Sequence, residues 1–273
     1  MKDSIKAGTL TRTAAILLIG NELLSGKIRD ENAYFLTQRL RELGVTVERV
    51  LIIPDRVNLI GEEVRSLSDR YDFVFTSGGV GPTHDDVTLE GIAYGFEEEL
   101  YLDTRLQALL SKYFGAQLND AHLRMAHIPH GSTLIWPHGE AWPVYSYQNV
   151  FIFAGIPAVL KAKFNSIAER FRTGTFYLRS IYLNLREGVI AETLRALEAN
   201  FQVAVGSYPR VTPDVNYLVR VTIEAREAER VNQAVTHFIS TLNHMRDERV
   251  LEHSLSEDQS MIAHLDPPLP SAE

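Results

Sequence analysis

Apolar positions along the chain follow two alternating rhythms. Short unbroken apolar runs give way to stretches whose apolar residues recur three and four apart. Ala14 to Ile19 is such a run, closed by Gly20, and it predicts a strand buried on both faces. Asn32 to Leu43 carries Phe35, Leu36, Leu40 and Leu43 at helical spacing, with Gly44 as the stop. Val45 to Ile53 first alternates and then turns solidly apolar, predicting a second strand closed by Pro54. Val57 to Tyr71 predicts a helix, Asp72 to Thr76 a third strand, and Thr88 to Phe96 the helix after it.

Strands and helices alternating across short connections predict an α/β fold, a three-layer doubly wound and mostly parallel sheet. In such sheets ligands sit beyond the carboxyl ends of the strands. The loops Gly20 to Glu31, Pro54-Asp55 and Ser77 to Asp86 all fall there, so they are expected to converge. Further helices are expected over Thr104 to Phe114 and Asp120 to Ala126. A strand over Tyr147 to Ala154 should turn at Gly155-Ile156-Pro157 into a helix near Val159 to Phe171.

Thr173-Gly174-Thr175 marks a domain boundary, which sets the first domain at residues 13–172. Beyond it the pattern reads strand (Phe176 to Leu185), helix (Gly188 to Ala199), strands (Gln202 to Gly206, Tyr217 to Glu224) and helix (Glu227 to Leu242). That order predicts a second, smaller α+β domain over residues 175–250. Residues 254–273 are polar and proline-rich, and are expected to form a mobile tail.

Composition narrows the chemistry. None of the 273 residues is cysteine, which removes disulfides and thiolate metal sites and leaves carboxylate, histidine and oxygen donors. The net charge is −8, from 35 acidic and 27 basic residues. No Lys/Arg block stands out, so nucleic acid is not an expected partner. No apolar run approaches the roughly 20 residues of a membrane helix, so no membrane partner is expected either. The polar stretch Met1 to Thr13 lacks the apolar core of a secretory signal, and a cytoplasmic location is expected.

The segment Ser77-Gly78-Gly79-Val80-Gly81-Pro82-Thr83 joins a predicted buried strand to a predicted helix. Such a junction presents backbone N–H groups to phosphate, and glycines let the chain approach a ligand closely. The alternative is a glycine-rich tight turn that binds nothing. It is neither a Walker loop nor the dinucleotide fingerprint. His84-Asp85-Asp86 follows directly. Adjacent carboxylates beside a phosphate loop suit a hard divalent cation, although Asp86 could simply cap the next helix. His84 could bind phosphate or move a proton.

Gly20-Asn21-Glu22-Leu23-Leu24-Ser25-Gly26-Lys27 offers Glu22 as a polar group past a buried strand and Lys27 as a phosphate partner. A solvated loop, with Asp30 or Glu31 near a helix N-terminus, explains it as well. Asp55 ends the second strand, and Gly155-Ile156-Pro157 is either a turn or a ligand-facing loop. Gly206-Ser207-Tyr208-Pro209 reads as a turn.

These residues together resemble a known family. Gly20 to Gly26, Asn32 and the string Gly78-Gly79-Val80-Gly81-Pro82-Thr83-His84-Asp85-Asp86-Val87-Thr88 resemble the MoaB/Mog molybdopterin-binding fold, and more closely the N-terminal domain of CinA. The similarity continues through Arg124-Met125-Ala126-His127-Ile128-Pro129 and Gly155-Ile156-Pro157. Gly206 to Pro209 is similar to the molybdopterin-binding-like domain of eukaryotic FAD synthases. The chain departs from the family in having Ala154-Gly155 where Pro-Gly is usual.

The resemblance implies a nucleotide or pterin pocket at the strand ends. Gly20, Glu22, Lys27, Asn32, Ser77, Gly78, Gly79, Gly81, Pro82, Thr83, His84, Gly155 and Pro157 would face the substrate. Asp55 and Asp86 would be catalytic, and Asp85 with Asp86 would hold a divalent metal (Mg²⁺, Mn²⁺ or Co²⁺); a monovalent cation such as K⁺ is a further candidate. The implied activity is metal-dependent hydrolysis of a nucleotide pyrophosphate such as ADP-ribose or FAD. The alternatives are a molybdopterin binder or adenylyltransferase, or a non-catalytic nucleotide sensor. Relatives of this fold commonly assemble as dimers or trimers, which implies a homo-oligomer. Neither the amidase domain of full-length CinA nor a FAD-synthesising domain is recognised, so those activities are not expected.

Overall fold

In a computed structural model that describes residues 12–137, 142–210, 216–247 and 261–270, the first apolar run becomes the centre of a sheet. Strand β1 (Thr13–Ile19) is buried from Ala14 onward. Ala15, Leu17 and Ile19 enter one apolar core, while Ala14, Ile16 and Leu18 enter another on the opposite face. Such a strand needs cover on both sides, and the layers follow from that need. Helices α3 (Val57–Ser68) and α4 (Thr88–Phe96) bring Ile60, Val64, Leu67, Ile92 and Phe96 to the first core. Helices α2 (Asn32–Glu42) and α7 (Pro157–Ile167) bring Leu36, Leu40, Leu160 and Phe164 to the second.

Beside β1 stand β2 (Thr46–Ile53) and β3 (Phe73–Ser77), then β8 (Val150–Phe153), β7 (Val144–Tyr147) and β6 (Thr133–Ile135), giving the order β2-β1-β3-β8-β7-β6. The first four strands are parallel and the last two antiparallel. The fold is α/β with a mixed, mostly parallel sheet. Phe75 and Phe164 both pack on Phe171, with ring centroids 5.0 and 5.6 Å apart, and clamp β3 to α7. Full burial of each such side chain contributes roughly 1.5–3 kcal/mol.

One expectation changes here, and two features were not foreseen. The single strand over Tyr147 to Ala154 is a hairpin end: Tyr147 pairs with Val150 across a turn where Gln148 takes φ 49°. Strands of three and four residues are too short for periodicity to reveal. The expected second strand, β2, is an edge strand, and Val50 and Ile52 stay more than 40% exposed. The two expected helices, α5 (Thr104–Phe114) and α6 (Asp120–Arg124), lie in sequence between β4 (Leu100–Leu102) and β5 (His127–Pro129), which pair antiparallel as a separate ribbon.

The chain divides into two units, 1–174 and 175–273. The second unit runs β9 (Tyr177–Leu183), α8 (Glu187–Phe201), β10 (Ala204–Pro209), β11 (Val219–Ala225), α9 (Ala228–Asp247) and β12 (Ile262–Leu265). Its antiparallel sheet has the order β10-β11-β9-β12. Ile190, Leu197, Val231 and Phe238 cover the sheet residues Ile181 and Val221. Gly206-Ser207-Tyr208-Pro209, expected as a turn, lies within β10. Part of the expected mobile tail is also a strand. Met261 is buried, β12 pairs with β9, and the Asp266 carboxylate accepts the Ser180 N–H at 2.8 Å. Residues 254–260 of that tail lie outside the described residues. Among the described residues no helix is long and apolar enough to cross a membrane.

Candidate functional site

The glycine loop between β3 and α4 is shaped first by its own packing. Gly78 sits at φ 108°, and a Cβ there would stand 2.0 Å from the Ile19 carbonyl oxygen. Gly79 sits at φ 64°, where a Cβ would meet Thr88 Oγ1 at 2.3 Å. The Thr88 hydroxyl donates to the Gly78 carbonyl at 2.8 Å and locks the turn. Both glycines are therefore required whether or not a ligand binds. Glycine spacing alone does not separate a binding loop from a tight turn.

The backbone N–H groups do separate them. Among the described residues, the N–H groups of Gly79, Val80 and Gly81 meet no protein acceptor. The same three residues line a cavity of about 590 Å³. Successive free N–H groups at a concave surface form an anion site. A small helix missed in the sequence, α1 (Asn21–Leu24), follows β1 and brings Glu22 and Leu23 to the cavity wall. Asn32, Ser77, Gly78, Pro82, Asp86, Gly155 and Pro157 complete the part of the wall expected from the sequence.

Asn32, 6% exposed at the start of α2, ties these segments together. Its Nδ2 donates to Ser77 Oγ at 2.9 Å and to the Gly155 carbonyl at 2.7 Å. That carbonyl can only accept, which fixes the amide orientation. Asn32 Oδ1 then remains buried with no partner. An orphaned buried acceptor costs roughly 1–3 kcal/mol, and a donor on a ligand in this cavity would remove that cost. Asp30 holds the helix start by accepting the N–H groups of Asn32 and Ala33 at 2.9 and 3.2 Å.

Asp86 spans its own loop. Its Oδ2 accepts the Thr83 N–H at 2.8 Å and the Thr83 hydroxyl, and Asp86 also lines the cavity. Arg124, on α6, braces the same loop from outside. Its guanidinium donates to the Thr83 carbonyl at 3.0 Å, the Asp86 carbonyl at 3.2 Å and Glu90 Oε1 at 3.0 Å. Sequence reasoning gave Arg124 no role, and no local pattern announces one. Arg29, not Lys27, supplies a cation to the cavity wall. The two stand two residues apart in one polar loop, and spacing does not tell which turns inward.

The remaining expected residues lie off the wall. Gly20 is buried against the Glu22 carboxylate, which leaves no room for a Cβ, and its N–H donates to the Ile53 carbonyl at 3.1 Å. Thr83 and Asp85 are exposed, and the His84 side chain is 97% exposed with Nδ1 4.0 Å from Asp85 Oδ1. Asp55 accepts the Asn21 N–H at 2.8 Å. Burial pushes the Asp55 carboxyl above its ordinary range, and the negative charges of Glu22 and Asp85 push it the same way, against the Asn21 hydrogen bond. Carboxylates from three loops thus share one field.

Among the described residues no three carboxylate or histidine groups close around a single metal point. The donors are hard oxygens on separate loops, with excess negative charge. That set fits a divalent cation held by one or two carboxylates and by substrate phosphate, which is how Mg²⁺ binds, and not an all-protein cage.

Residues 15–173 match the family model described as a probable molybdopterin binding domain, and residues 175–248 match the middle domain of FAD synthase. A protein of Archaeoglobus fulgidus is 36% identical over 232 residues, covering 85% of this chain and 98% of that protein. A probable FAD synthase of Caenorhabditis elegans is 31% identical over 82% of this chain, which spans only 49% of the nematode protein. The crystal structure of a CinA protein of unknown function from Thermoplasma acidophilum superimposes with a TM-score of 0.54 at 30% identity, covering 59% of this chain and 99% of that one. The chain belongs, through residues 15–173, to the family of probable molybdopterin binding domains, the MoaB/Mog-like fold with CinA-like members.

Proposed function

We propose that the chain hydrolyses the pyrophosphate bond of a dinucleotide-like substrate such as ADP-ribose or FAD, with a divalent cation. One observation carries the reading: the partnerless N–H groups of Gly79 to Gly81 share a cavity with the orphaned Asn32 Oδ1. An anion and a hydrogen-bond donor are what that cavity lacks, and a sugar–pyrophosphate carries both.

The backbone N–H groups hold the pyrophosphate, and Arg29 offsets part of its charge. Asn32 Oδ1 accepts a substrate hydroxyl. Asp86, with Asp85 or Glu22, would hold a divalent cation together with substrate phosphate, and that cation would supply charge neutralisation and a more acidic water. Water attacks one phosphorus, the P–O–P bond breaks, and two phosphomonoesters leave. Asp55, with its raised proton affinity and its electrostatic reach to Glu22, takes the proton that water loses.

The family match also supports a second reading, binding or adenylylation of molybdopterin in the same cavity. Product analysis separates the readings. The chain is incubated with ADP-ribose, FAD, or molybdopterin plus ATP, each with Mn²⁺ and with chelator. AMP released from ADP-ribose or FAD only when metal is present is the expected result. Adenylylated pterin without AMP release from either dinucleotide overturns the hydrolase reading, and so does tight nucleotide binding without turnover.

A further inference from the structure

An apolar cavity of about 400 Å³ with an aromatic wall shares Val80, Met125 and Ala154 with the first and is part of the same site. The second unit carries chemistry that this site does not use. Its sheet residues Ile181, Leu183, Val219, Val221 and Ile223 enter one core with α8 and α9. Alternate residues then point to the other face of the sheet. Strand register sets four of them in one line across all four strands. Tyr208 of β10 pairs with Arg220 of β11, Arg220 with Tyr182 of β9, and Tyr182 with His264 of β12. Three interstrand steps make the line roughly 14 Å long.

The Arg220 guanidinium carbon lies 4.9 Å from the Tyr208 ring centroid. The Tyr182 ring lies 4.9 Å from Tyr217 and 5.4 Å from His264. Tyr208 is 48% exposed and the His264 side chain 67%. Gly206, in a string that the first unit leaves without a role, makes room for this line. A Cβ there would stand 2.7 Å from the Tyr208 hydroxyl, so the phenol lies down over the glycine. No carboxylate stands in the line. Asp266, 3.7 Å from His264, gives its other oxygen to the Ser180 N–H. Arg210, two residues past Tyr208, is exposed and adds a cation at that end.

Cross-strand packing explains why these side chains touch. It does not call for rings and cations on the side turned away from the helices. Small organic ligands sit in concave sites, whereas this is an open sheet face. Open four-stranded sheets with aromatic side chains bind single strands by stacking their bases, and every base has a π-face to offer. We propose that this face binds single-stranded nucleic acid, stacking about two or three bases along Tyr208, Arg220, Tyr182 and His264. The proposal is independent of the hydrolase reading. With a net charge of −8 and two arginines at the line, the chain draws its binding from stacking, and phosphate contributes little. A duplex, whose bases already stack on one another, is not a ligand.

The test is fluorescence anisotropy of labelled octauridylate and octathymidylate, titrated with the full chain in excess ADP-ribose to keep the first cavity filled. Both single strands are expected to bind, and a hairpin duplex at least about tenfold more weakly. Tyr182→Ala should weaken single-strand binding by about tenfold or more. The slope of log K against log salt should be no steeper than about −1.4, from two phosphate contacts at about −0.7 each. Wild-type affinity in Tyr182→Ala overturns the proposal, as does a duplex that binds equally well. So do competition by ADP-ribose, AMP binding as tight as that of the octamers, and a wild-type chain that binds neither single strand. If Tyr182→Ala fails to fold, Tyr208→Ala on the exposed edge strand takes its place, and unchanged affinity there is the overturning result.

Discussion

The two cavities at the carboxyl end of the parallel sheet share three wall residues and differ in almost everything else. The polar one draws on the free backbone N–H groups of Gly79 to Gly81 and on three loops at strand ends, within residues 19–32, 77–86 and 154–157. The apolar one is made of side chains spread from Val80 to Lys163, on α5, the β7–β8 hairpin and α7. The first is rigid because each part is required for packing: Gly78 against Ile19, Gly79 against Thr88, Asn32 against Gly155. The second depends on bulk and shape, which many side chains could supply. A backbone-built site resists substitution, and a side-chain-built site adapts.

The sharpest way to break the comparison is at the glycines. Gly78→Val drives a Cβ into the Ile19 carbonyl at a φ that valine avoids, and should cost roughly 3 kcal/mol or more of unfolding free energy. Gly155→Ala is the control. Its Cβ would meet Gly78 Cα at an ordinary 3.4 Å, so stability should change by less than about 1 kcal/mol. Chemical denaturation of both variants checks the pair, and equal losses would show that the loop is not held by the contacts described.

Arg124 comes next in size. Arg124→Met removes three hydrogen bonds that brace the loop from outside, so kcat should fall roughly tenfold with KM little changed. Arg124→Lys should not restore it, because one ammonium cannot reproduce the planar fork. Full rescue by lysine would mean that only the charge matters.

How much of this was legible in the sequence follows the same division. The parallel strands and their helices announced themselves because β1 and β3 carry unbroken apolar runs and α2 to α4 repeat apolar residues at helical spacing. Ser77 to Asp86 was readable because backbone chemistry is written in contiguous glycines and acids. The elements β6, β7 and β12 were missed because they span three or four residues, and β12 lies in a proline-rich context that composition reads as a tail. The roles of Arg124, Arg29 and the aromatic wall were illegible for another reason. Their meaning depends on which distant residue they touch, and no spacing rule encodes that.

The smallest expected effect concerns Asp55. Its carboxyl is held above the ordinary range, so the folded chain binds the proton more tightly than the unfolded chain. The charged carboxylate therefore costs stability, a cost that grows as pH rises through the folded pKa and vanishes below the unfolded value of about 3.9. Asp55→Asn keeps an acceptor for the Asn21 N–H, and should melt at or slightly above the wild-type temperature at neutral pH, with no advantage at low pH. Thermal melts across pH check the direction, and a variant less stable at neutral pH contradicts the raised pKa.

The central claim, that this loop hydrolyses a pyrophosphate, is tested most directly by Asp86→Asn assayed for metal-dependent AMP release from ADP-ribose and FAD beside wild type. Asparagine retains an acceptor for the Thr83 N–H while removing the charge, so the melting temperature should be nearly unchanged. Turnover should fall by about a hundredfold or more. A folded Asp86→Asn chain that releases AMP at the wild-type rate would contradict the account.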